Sequence, residues 1–188
     1  MSCLATEDQL SCQQCSLWTT RQNVVPGHGN VLAKIAAVAE APGQQEDIEG
    51  LPLIGPAGRR FDRHLETAGL SRNDIFCTNV LLCRPPKNSL RDYPEAIIRC
   101  PGLWLYNSLA KLPNLRVVVL LGATAGNLWF PGRKAGDIST LARRVPEGYT
   151  LVGAMHPSYA LRVGAWMNHV DESIVKSLLR ARIIAEEG

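Results

Sequence analysis

Four short apolar runs, each followed by a loop or a segment of helical pattern, are the feature that most restricts the fold of this chain. The runs occupy residues 34–38, 75–82, 116–121 and 150–155, and the third is a continuous series of valine and leucine after its first residue. Strands that are apolar at every position are typical of a parallel sheet whose two faces are covered by helices. The pattern therefore predicts an α/β fold built on a parallel sheet.

Three segments of helical periodicity supply the covering layers. Residues 59–68 have an amphipathic pattern and end before Gly69, a common helix terminator. Residues 93–112 predict one long helix with a proline near its first turn and Pro113 just beyond its end. Residues 171–186 predict an amphipathic closing helix.

The composition is that of an ordinary globular protein. Hydrophobic residues make up 46% and charged residues 20% of 188 positions, which suits a single domain over residues 1–188. We expect a cytoplasmic monomer that binds no membrane, because no run approaches the roughly 20 apolar residues of a membrane helix and no signal-peptide pattern is present. The net charge of +3 is weak support for a nucleic-acid partner when it is taken alone.

Four of the six cysteines form a set that suits a metal centre. Cys12 and Cys15 make a C-x-x-C pair, and Cys83 and Cys100 add two further thiols from distant segments. Four thiolates can hold either zinc or an iron–sulfur cluster. Structural zinc usually draws on two close pairs, and the wide separation of the second pair here favours [4Fe–4S], with zinc as the alternative.

Three groups of polar residues follow the predicted strands and should meet at one edge of the sheet. Residues 40–43 follow the first strand, Asn79 lies near the end of the second, and residues 156–158 follow the fourth. Ligands of parallel sheets bind at the carboxyl ends of the strands, where such loops converge. This edge of the sheet is therefore the predicted ligand-binding site.

The cysteine set and the loops after the predicted strands together resemble the motifs of the family 4 uracil-DNA glycosylases. The resemblance runs from Cys12 to about Arg162, with every motif in the family's order. The matching residues are Cys12 and Cys15; Glu40-Ala41-Pro42-Gly43 with Glu46 and Asp47; residues 50–58; Thr78-Asn79-Val80 with Cys83-Arg84-Pro85-Pro86; Glu95 before Cys100; Leu121-Gly122-Ala123; and His156-Pro157-Ser158.

The resemblance implies a three-layer α/β/α sandwich with a central four-stranded parallel sheet. It also implies a [4Fe–4S] cluster held by Cys12, Cys15, Cys83 and Cys100, and the excision of a base that is flipped out of DNA. A base inside the duplex stack cannot be reached, so such an enzyme extrudes it into a pocket and contacts its Watson–Crick edge.

Three side chains at the predicted edge suit that chemistry. The Asn79 amide can accept from N3–H and donate to O4 of uracil, although an asparagine at a strand end can equally serve the backbone. His156 can donate to O2 of the departing base, where negative charge develops. Glu40 can orient the attacking water or stabilise the cationic sugar, with Glu46 and Asp47 either sharing that role or simply solvated.

Further residues are predicted to shape the pocket and to contact DNA. Ala41, Pro42 and Gly43 form a loop that lets the backbone approach the substrate closely. Leu161 is the candidate wedge that fills the gap left by the flipped nucleotide. Candidate DNA contacts are Ser158 and the arginines Arg59, Arg60, Arg63, Arg84, Arg143, Arg144 and Arg162.

The chain departs from the family's pattern at the pocket. Leu53 stands where the family has a phenylalanine that stacks on the base, and Ala39 stands where it has glycine. Gly43 places no side chain where other uracil glycosylases block substituents at C5 of the base. These departures suggest a C5-modified pyrimidine, such as hydroxymethylated or glucosylated cytosine of phage DNA, as a substrate beside uracil, and hence a role in anti-phage defence.

Two other classes of function compete with the glycosylase. The first is a catalytically inactive iron–sulfur protein that binds DNA with the same fold. The second is an electron carrier, in which Asn79 and His156 would have no purpose. Among enzymes, a monofunctional glycosylase is expected rather than a lyase, because the pocket motifs contain no lysine nucleophile.

Overall fold

The computed structural model describes residues 2–162 and 167–187, which build a sheet with helices on both faces. The strands pair in the order β1-β2-β4-β3-β5-β7-β6. Their bounds are β1 Ser2–Cys3, β2 His28–Gly29, β3 Ile35–Ala39, β4 Ile75–Asn79, β5 Val117–Leu121, β6 Ala142–Arg144 and β7 Thr150–Ala154.

The four predicted strands form the parallel centre of this sheet. Strand β3 pairs in parallel with β4 and with β5, and β5 pairs in parallel with β7. Every residue of β3, β4 and β5 is buried, as expected of strands covered on both faces. The predicted α/β class and its parallel core are confirmed.

The sheet is larger than the four strands that were predicted. Strands β1 and β2 extend one edge in antiparallel pairing, and β6 pairs antiparallel with β7 at the other edge. These strands contain only two or three residues each, so they carry no measurable alternation of apolar and polar side chains.

The helices form two layers around the sheet. Ile35 and Ala37 of β3 belong to a core shared with helices α3 and α9, whereas Ala36 and Val38 belong to the core on the opposite face. The bounds are α1 Glu7–Leu10, α2 Gln44–Glu49, α3 Pro56–Thr67, α4 Pro94–Cys100, α5 Tyr106–Ala110, α6 Ala123–Asn127, α7 Ala135–Ile138, α8 Pro157–Ala160 and α9 Met167–Glu186.

The prediction of one long helix over residues 93–112 is wrong in one respect. A π-helical segment, Pro101–Leu105, separates α4 from α5. Proline has no N–H to donate to the preceding turn, so the regular hydrogen-bond ladder cannot continue through Pro101. Cys100 therefore lies directly before an interruption of the helix.

The second predicted strand is also shorter than its apolar run. Strand β4 ends at Asn79, and the chain continues as a loop whose Val80 and Leu81 amides donate to Ala39 and Glu40 carbonyls at 2.8 and 3.1 Å. Asn79 is therefore the last strand residue, level with the loop that follows β3. Among the helices of residues 2–162 and 167–187, none combines the length and the apolar character needed to cross a bilayer.

Candidate active site

A cleft of about 870 Å³ lies at the carboxyl ends of β3, β4, β5 and β7. Its volume is within the range of about 300–1,000 Å³ that is usual for ligand sites. Most of the predicted site residues line it, including members of all three predicted loops. These are Glu40, Ala41, Pro42, Gly43, Leu53, Asn79, His156, Ser158, Leu161 and Arg162.

Asn79 presents an unused hydrogen-bond donor to the cleft. Its side chain is 1% exposed, and its Nδ2 has no hydrogen-bond partner among the residues that the structure describes. A buried amide without a partner costs roughly 1–3 kcal/mol, so native proteins usually complete one with an ordered water or a ligand. The donor of Asn79 is therefore available to a polar atom that enters the cleft.

His156 is held as a neutral imidazole with its proton on one defined nitrogen. The backbone N–H of Ser158 donates to its Nδ1 at 3.1 Å, and the Ser158 hydroxyl lies 2.8 Å from the same atom. Because Nδ1 accepts from the Ser158 amide, the neutral ring carries its proton on Nε2. Burial, and then the nearby Arg162 cation, lower the pKa of His156 to about 4.

Gly122 at the end of β5 leaves room for His156. Its φ is +88°, in the left-handed region, and a Cβ there would lie 2.8 Å from the Cβ of His156. A side chain at this position would push the imidazole out of its place. Only the absence of a Cβ lets the β5 loop and the β7 loop approach this closely.

Glu40 is oriented by a residue that the sequence motifs did not single out. The Thr124 hydroxyl in α6 donates to Oε2 of Glu40, which lies half-buried on the cleft wall. Thr124 follows the Gly122-Ala123 motif by one residue, which is the signal that could have identified it. The contact fixes one carboxylate oxygen of Glu40.

Glu46 lines the cleft but is bonded to the backbone, so simple solvation does not describe it, while a share in positioning water stays a prediction. Its side chain is 7% exposed, and it accepts from the N–H groups of Gly43 at 3.1 Å, Ile54 at 3.0 Å and Gly55 at 2.7 Å. The carboxylate thereby joins the loop after β3 to the loop before α3. Because a Cβ on Gly43 would lie 2.7 Å from Oε2 of Glu46, the space beside this glycine is filled rather than open.

Asp47 has a similar structural role. It is 3% exposed and accepts from the backbone N–H groups of Gln22 and Asn23 at 3.0 and 3.2 Å. The Asn23 amide returns a bond to the Asp47 carbonyl at 2.8 Å. Asp47 therefore attaches α2 to the segment that follows the C-x-x-C pair, and it is not solvated.

Leu53 forms part of the cleft wall in an unusual backbone conformation. Its φ is +54°, and its side chain is 5% exposed in the core that also contains Phe61 and Met155. A leucine in the left-handed region costs roughly 1–2 kcal/mol relative to its usual conformations. Surrounding contacts must therefore hold this residue in place.

The rim of the cleft carries exposed apolar and basic side chains. Tyr159 is 41% and Leu161 49% exposed, and Arg162 is exposed beside them. Arg84 does not line the cleft, although its Nε donates at 3.0 Å to Asn88, which does. The predicted wedge and three of the predicted DNA contacts thus lie on or next to one rim.

Two other arginines have partners within the protein. Arg60 forms an ion pair with Asp171 of α9, which also accepts from His64 Nε2 at 2.7 Å. Arg143 lies with its guanidinium 4.8 Å from the centre of the Phe130 ring. The charge of Arg60 is therefore already compensated, so it is a poor phosphate contact.

The four predicted cysteine ligands line one cavity, which shares none of its described lining residues with the cleft. Cys12, Cys15, Cys83 and Cys100 all border it, and all are free thiols. Burial, together with a smaller effect of the other thiols of the set, raises the pKa of Cys83 to about 11 and that of Cys100 to about 12. Over residues 2–162 and 167–187, no three His, Cys, Asp or Glu side chains form a group that could hold a single metal ion.

Polar contacts hold the segments of this cavity together. Arg21 Nη1 donates to Cys83 Sγ at 3.3 Å. The Ser16 hydroxyl donates to Glu95 of α4 at 2.7 Å, and Arg99 donates to the Gln14 carbonyl at 3.1 Å. The C-x-x-C segment is thereby fixed against the helix that carries Cys100.

Comparisons with known proteins agree with this geometry. Residues 26–175 match the model of the uracil DNA glycosylase superfamily. A type-4 uracil-DNA glycosylase of Thermotoga maritima is 32% identical over 188 residues, which cover 98% of this chain and 95% of that protein. The type-4 enzyme of Archaeoglobus fulgidus is 45% identical over 123 residues, and that of Saccharolobus solfataricus is 46% identical over 120 residues.

The last two matches cover 64% and 63% of this chain, and the chain spans 59% and 54% of those relatives' lengths. The family match includes the strands of the parallel core and every residue that lines the cleft. The predicted resemblance to the type-4 enzymes is therefore confirmed, and this chain belongs to the uracil DNA glycosylase superfamily.

Proposed function

We propose that this protein is a monofunctional DNA glycosylase that hydrolyses the bond between a flipped-out pyrimidine and its deoxyribose. The observation that carries the proposal is the buried, unpartnered Nδ2 of Asn79, which lies on the same cleft as His156 and Glu40. Two donors on one cleft, Nδ2 of Asn79 and Nε2 of His156, suit the two carbonyl oxygens of uracil.

In this proposal, Asn79 reads the base and His156 stabilises it as it departs. Asn79 Nδ2 donates to O4 while its Oδ1 accepts from N3–H. When the bond between C1′ and the base breaks, its electron pair moves to the base, and neutral His156 donates from Nε2 to the charged O2. A neutral imidazole suits this role because its pKa is held at about 4.

Water completes the hydrolysis from the sugar side. Glu40, with one oxygen held by Thr124, orients a water molecule towards C1′ and stabilises the positive charge on the sugar. The water oxygen forms the new bond to C1′, one of its protons is lost, and the base gains a proton. The products are a free base and an abasic site.

The cysteine cavity fits a [4Fe–4S] cluster held by Cys12, Cys15, Cys83 and Cys100. The described residues that line this cavity include four thiols and no histidine, aspartate or glutamate, and soft thiolates are the ligands that iron–sulfur clusters require. When bound, the cluster supplies four iron–thiolate bonds that cross-link distant segments. To hold such a cluster, these thiols, whose pKa is raised by burial, would have to be deprotonated.

We assign two candidate substrates to the cleft. Uracil is the first, because the type-4 relatives are uracil-DNA glycosylases by name. A C5-modified pyrimidine, such as hydroxymethylated or glucosylated cytosine, is the second, and it implies a role in anti-phage defence. Leu53 supports the second candidate because it is smaller than a phenyl ring, whereas Gly43 does not support it because Glu46 fills the neighbouring space.

The rim defines how duplex DNA would be held. Leu161 would enter the gap left by the flipped nucleotide, and Ser158, Arg162 and Arg84 would contact phosphates. We propose that the protein acts on DNA as a cytoplasmic monomer, with residues 1–188 forming one domain. A catalytically inactive iron–sulfur protein that binds DNA is the alternative function.

Comparison of two asparagine variants tests the proposed function. Duplexes with one uracil or one modified cytosine are incubated with the protein, and abasic sites are revealed by alkaline cleavage. We expect Asn79→Ala to lower kcat/KM for base release at least about a hundredfold, as loss of a transition-state donor does. Asn107→Ala is the matched control, since that exposed amide donates to the Leu103 carbonyl in its own helical segment.

The outcomes separate the candidate functions. Loss of base release with retained duplex affinity in Asn79→Ala, and normal release in Asn107→Ala, supports the proposal. Equal rates in the two variants contradict the role of Asn79. A wild-type protein that binds DNA but never forms abasic sites indicates the inactive binding protein.

A further inference from the structure

The backbone of Leu53 has a conformation that is unfavourable for a leucine. A leucine at φ +54° persists only where neighbouring contacts hold it there. The Leu53 carbonyl is the group that is held. It accepts from Nη2 of Arg72, and a Cβ on Gly58 would overlap the same carbonyl, so the first turn of α3 can approach it only at a glycine.

Arg72 is itself fixed in three directions. Its Nε bonds to Asp62 of α3, its Nη1 donates to Cys77 Sγ at 3.3 Å, and its guanidinium lies 5.9 Å from the centre of the Phe61 ring. Cys77 is in β4, two residues before Asn79. One planar side chain therefore connects the strand that carries Asn79 to the backbone of Leu53.

We infer that Arg72 is a positioning residue that determines substrate specificity by fixing the Leu53 wall of the cleft relative to Asn79. Arg72 does not line the cleft, so it acts through Leu53 and not on the substrate. The inference rests on the proposed function only for its consequence for the base, since the contacts of Leu53 exist without any substrate. Without the clamp, Leu53 would relax to an ordinary negative φ and move its side chain.

Arg72→Lys separates this role from charge alone. Lysine keeps the positive charge but has a single terminal nitrogen, so it cannot reach the Asp62 carboxylate, the Cys77 sulfur and the Leu53 carbonyl in one plane. Arg182→Lys is the matched control. Arg182 also joins a carboxylate, Glu186 at 2.8 Å, to a backbone carbonyl, Ala68 at 3.3 Å, but unlike Leu53 neither of these partners lines the cleft.

Two readouts test the inference on the purified full chain. The first is amide hydrogen exchange of residues 50–58, where the Ile54 and Gly55 amides are protected by Glu46. The second is the ratio of two affinities. One is for a duplex with a 2′-fluorinated deoxyuridine, which resists cleavage, and the other is for a duplex with a 5-substituted analogue of that nucleotide. We expect Arg72→Lys to speed the exchange and to change the affinity ratio by about tenfold, whereas Arg182→Lys changes both less than about twofold.

A double-mutant cycle with Leu53→Gly distinguishes positioning from general stability. Glycine adopts a positive φ without cost and has no side chain to place, so Arg72→Lys should then change the affinity ratio less than about twofold. Unchanged exchange and an unchanged ratio in Arg72→Lys overturn the inference, as does an equal effect of Arg72→Lys in both backgrounds. If the wild type prefers neither analogue over an unmodified duplex, the proposed function fails, and the exchange readout alone decides the role of Arg72.

Discussion

Substitution of Glu46 by glutamine tests whether one buried carboxylate holds two walls of the cleft together. The carboxylate accepts three backbone N–H groups, at 3.1, 3.0 and 2.7 Å. Glutamine has one acceptor oxygen, which can keep the bonds from Ile54 and Gly55. Its NH₂ group would then face the N–H of Gly43, so two donors would meet at the first turn of α2.

The size of the effect follows from these contacts. A hydrogen bond to a charged group contributes about 1.5–3 kcal/mol, and the two bonds that remain become neutral and weaker. We therefore expect Glu46→Gln to lower the free energy of unfolding by about 3 kcal/mol. For a chain of this length, that corresponds to a fall in Tm of about 6–12 °C.

Thermal and urea unfolding followed by circular dichroism provide the assay. Glu49→Gln is the control, because Glu49 is exposed at the far end of the same helix, and surface changes of this kind stay within about 0.5 kcal/mol. Base release should also fall in Glu46→Gln, since the loops that carry Glu40 and Leu53 would separate. A Tm within 1–2 °C, roughly, of the Glu49→Gln value would refute the proposed clamp.

Three further predictions concern His156, Gly122 and Cys83. Because unfolding raises the pKa of His156 from about 4 to its ordinary value near 6.5, the unfolded chain binds more protons, and stability falls as pH drops through this window. Urea unfolding at pH 7 and pH 5 should show about 2 kcal/mol less pH dependence in His156→Gln than in the wild type, and equal dependence would contradict a neutral imidazole in the folded protein. Gly122→Ala should displace His156 and reduce base release, whereas Gly132→Ala should keep normal release, since Gly132 has a similar φ of +77° but no atom near its missing Cβ. Cys83→Ser should reduce iron and acid-labile sulfide and weaken the visible absorption band, whereas Cys3→Ser, at an exposed thiol, should leave all three unchanged.

The sequence predicted those parts of the fold that depend on long apolar runs. Strands β3, β4, β5 and β7 are buried at nearly every position, so their composition alone identifies them. The convergence of Asn79, Glu40 and His156 followed from strand order, because the carboxyl ends of parallel strands share one edge. Pro101 is a helix-interrupting residue that can be read from the sequence. The helical pattern on both sides of it nevertheless predicted one continuous helix.

The supporting contacts could not be predicted in the same way. The local sequence around Glu46 is that of a solvated helix residue. Only the folded structure brings the N–H groups of Ile54 and Gly55, eight and nine positions away, to its carboxylate. The contact between Arg72 and Leu53 joins residues 19 positions apart through a backbone carbonyl, and no side-chain pattern records it. Tertiary hydrogen bonds to the backbone leave little trace in local composition.

Mass analysis of the base released by the wild-type protein tests the central claim most directly. A panel of duplexes would carry a single uracil, 5-hydroxymethylcytosine or glucosylated 5-hydroxymethylcytosine opposite its usual partner. We predict that a free pyrimidine from at least one duplex appears in solution in a one-to-one ratio with abasic sites. If the purified protein, with its iron and sulfide content verified, releases no base from any of them, the account of Asn79, His156 and Glu40 as a base-excision site is wrong.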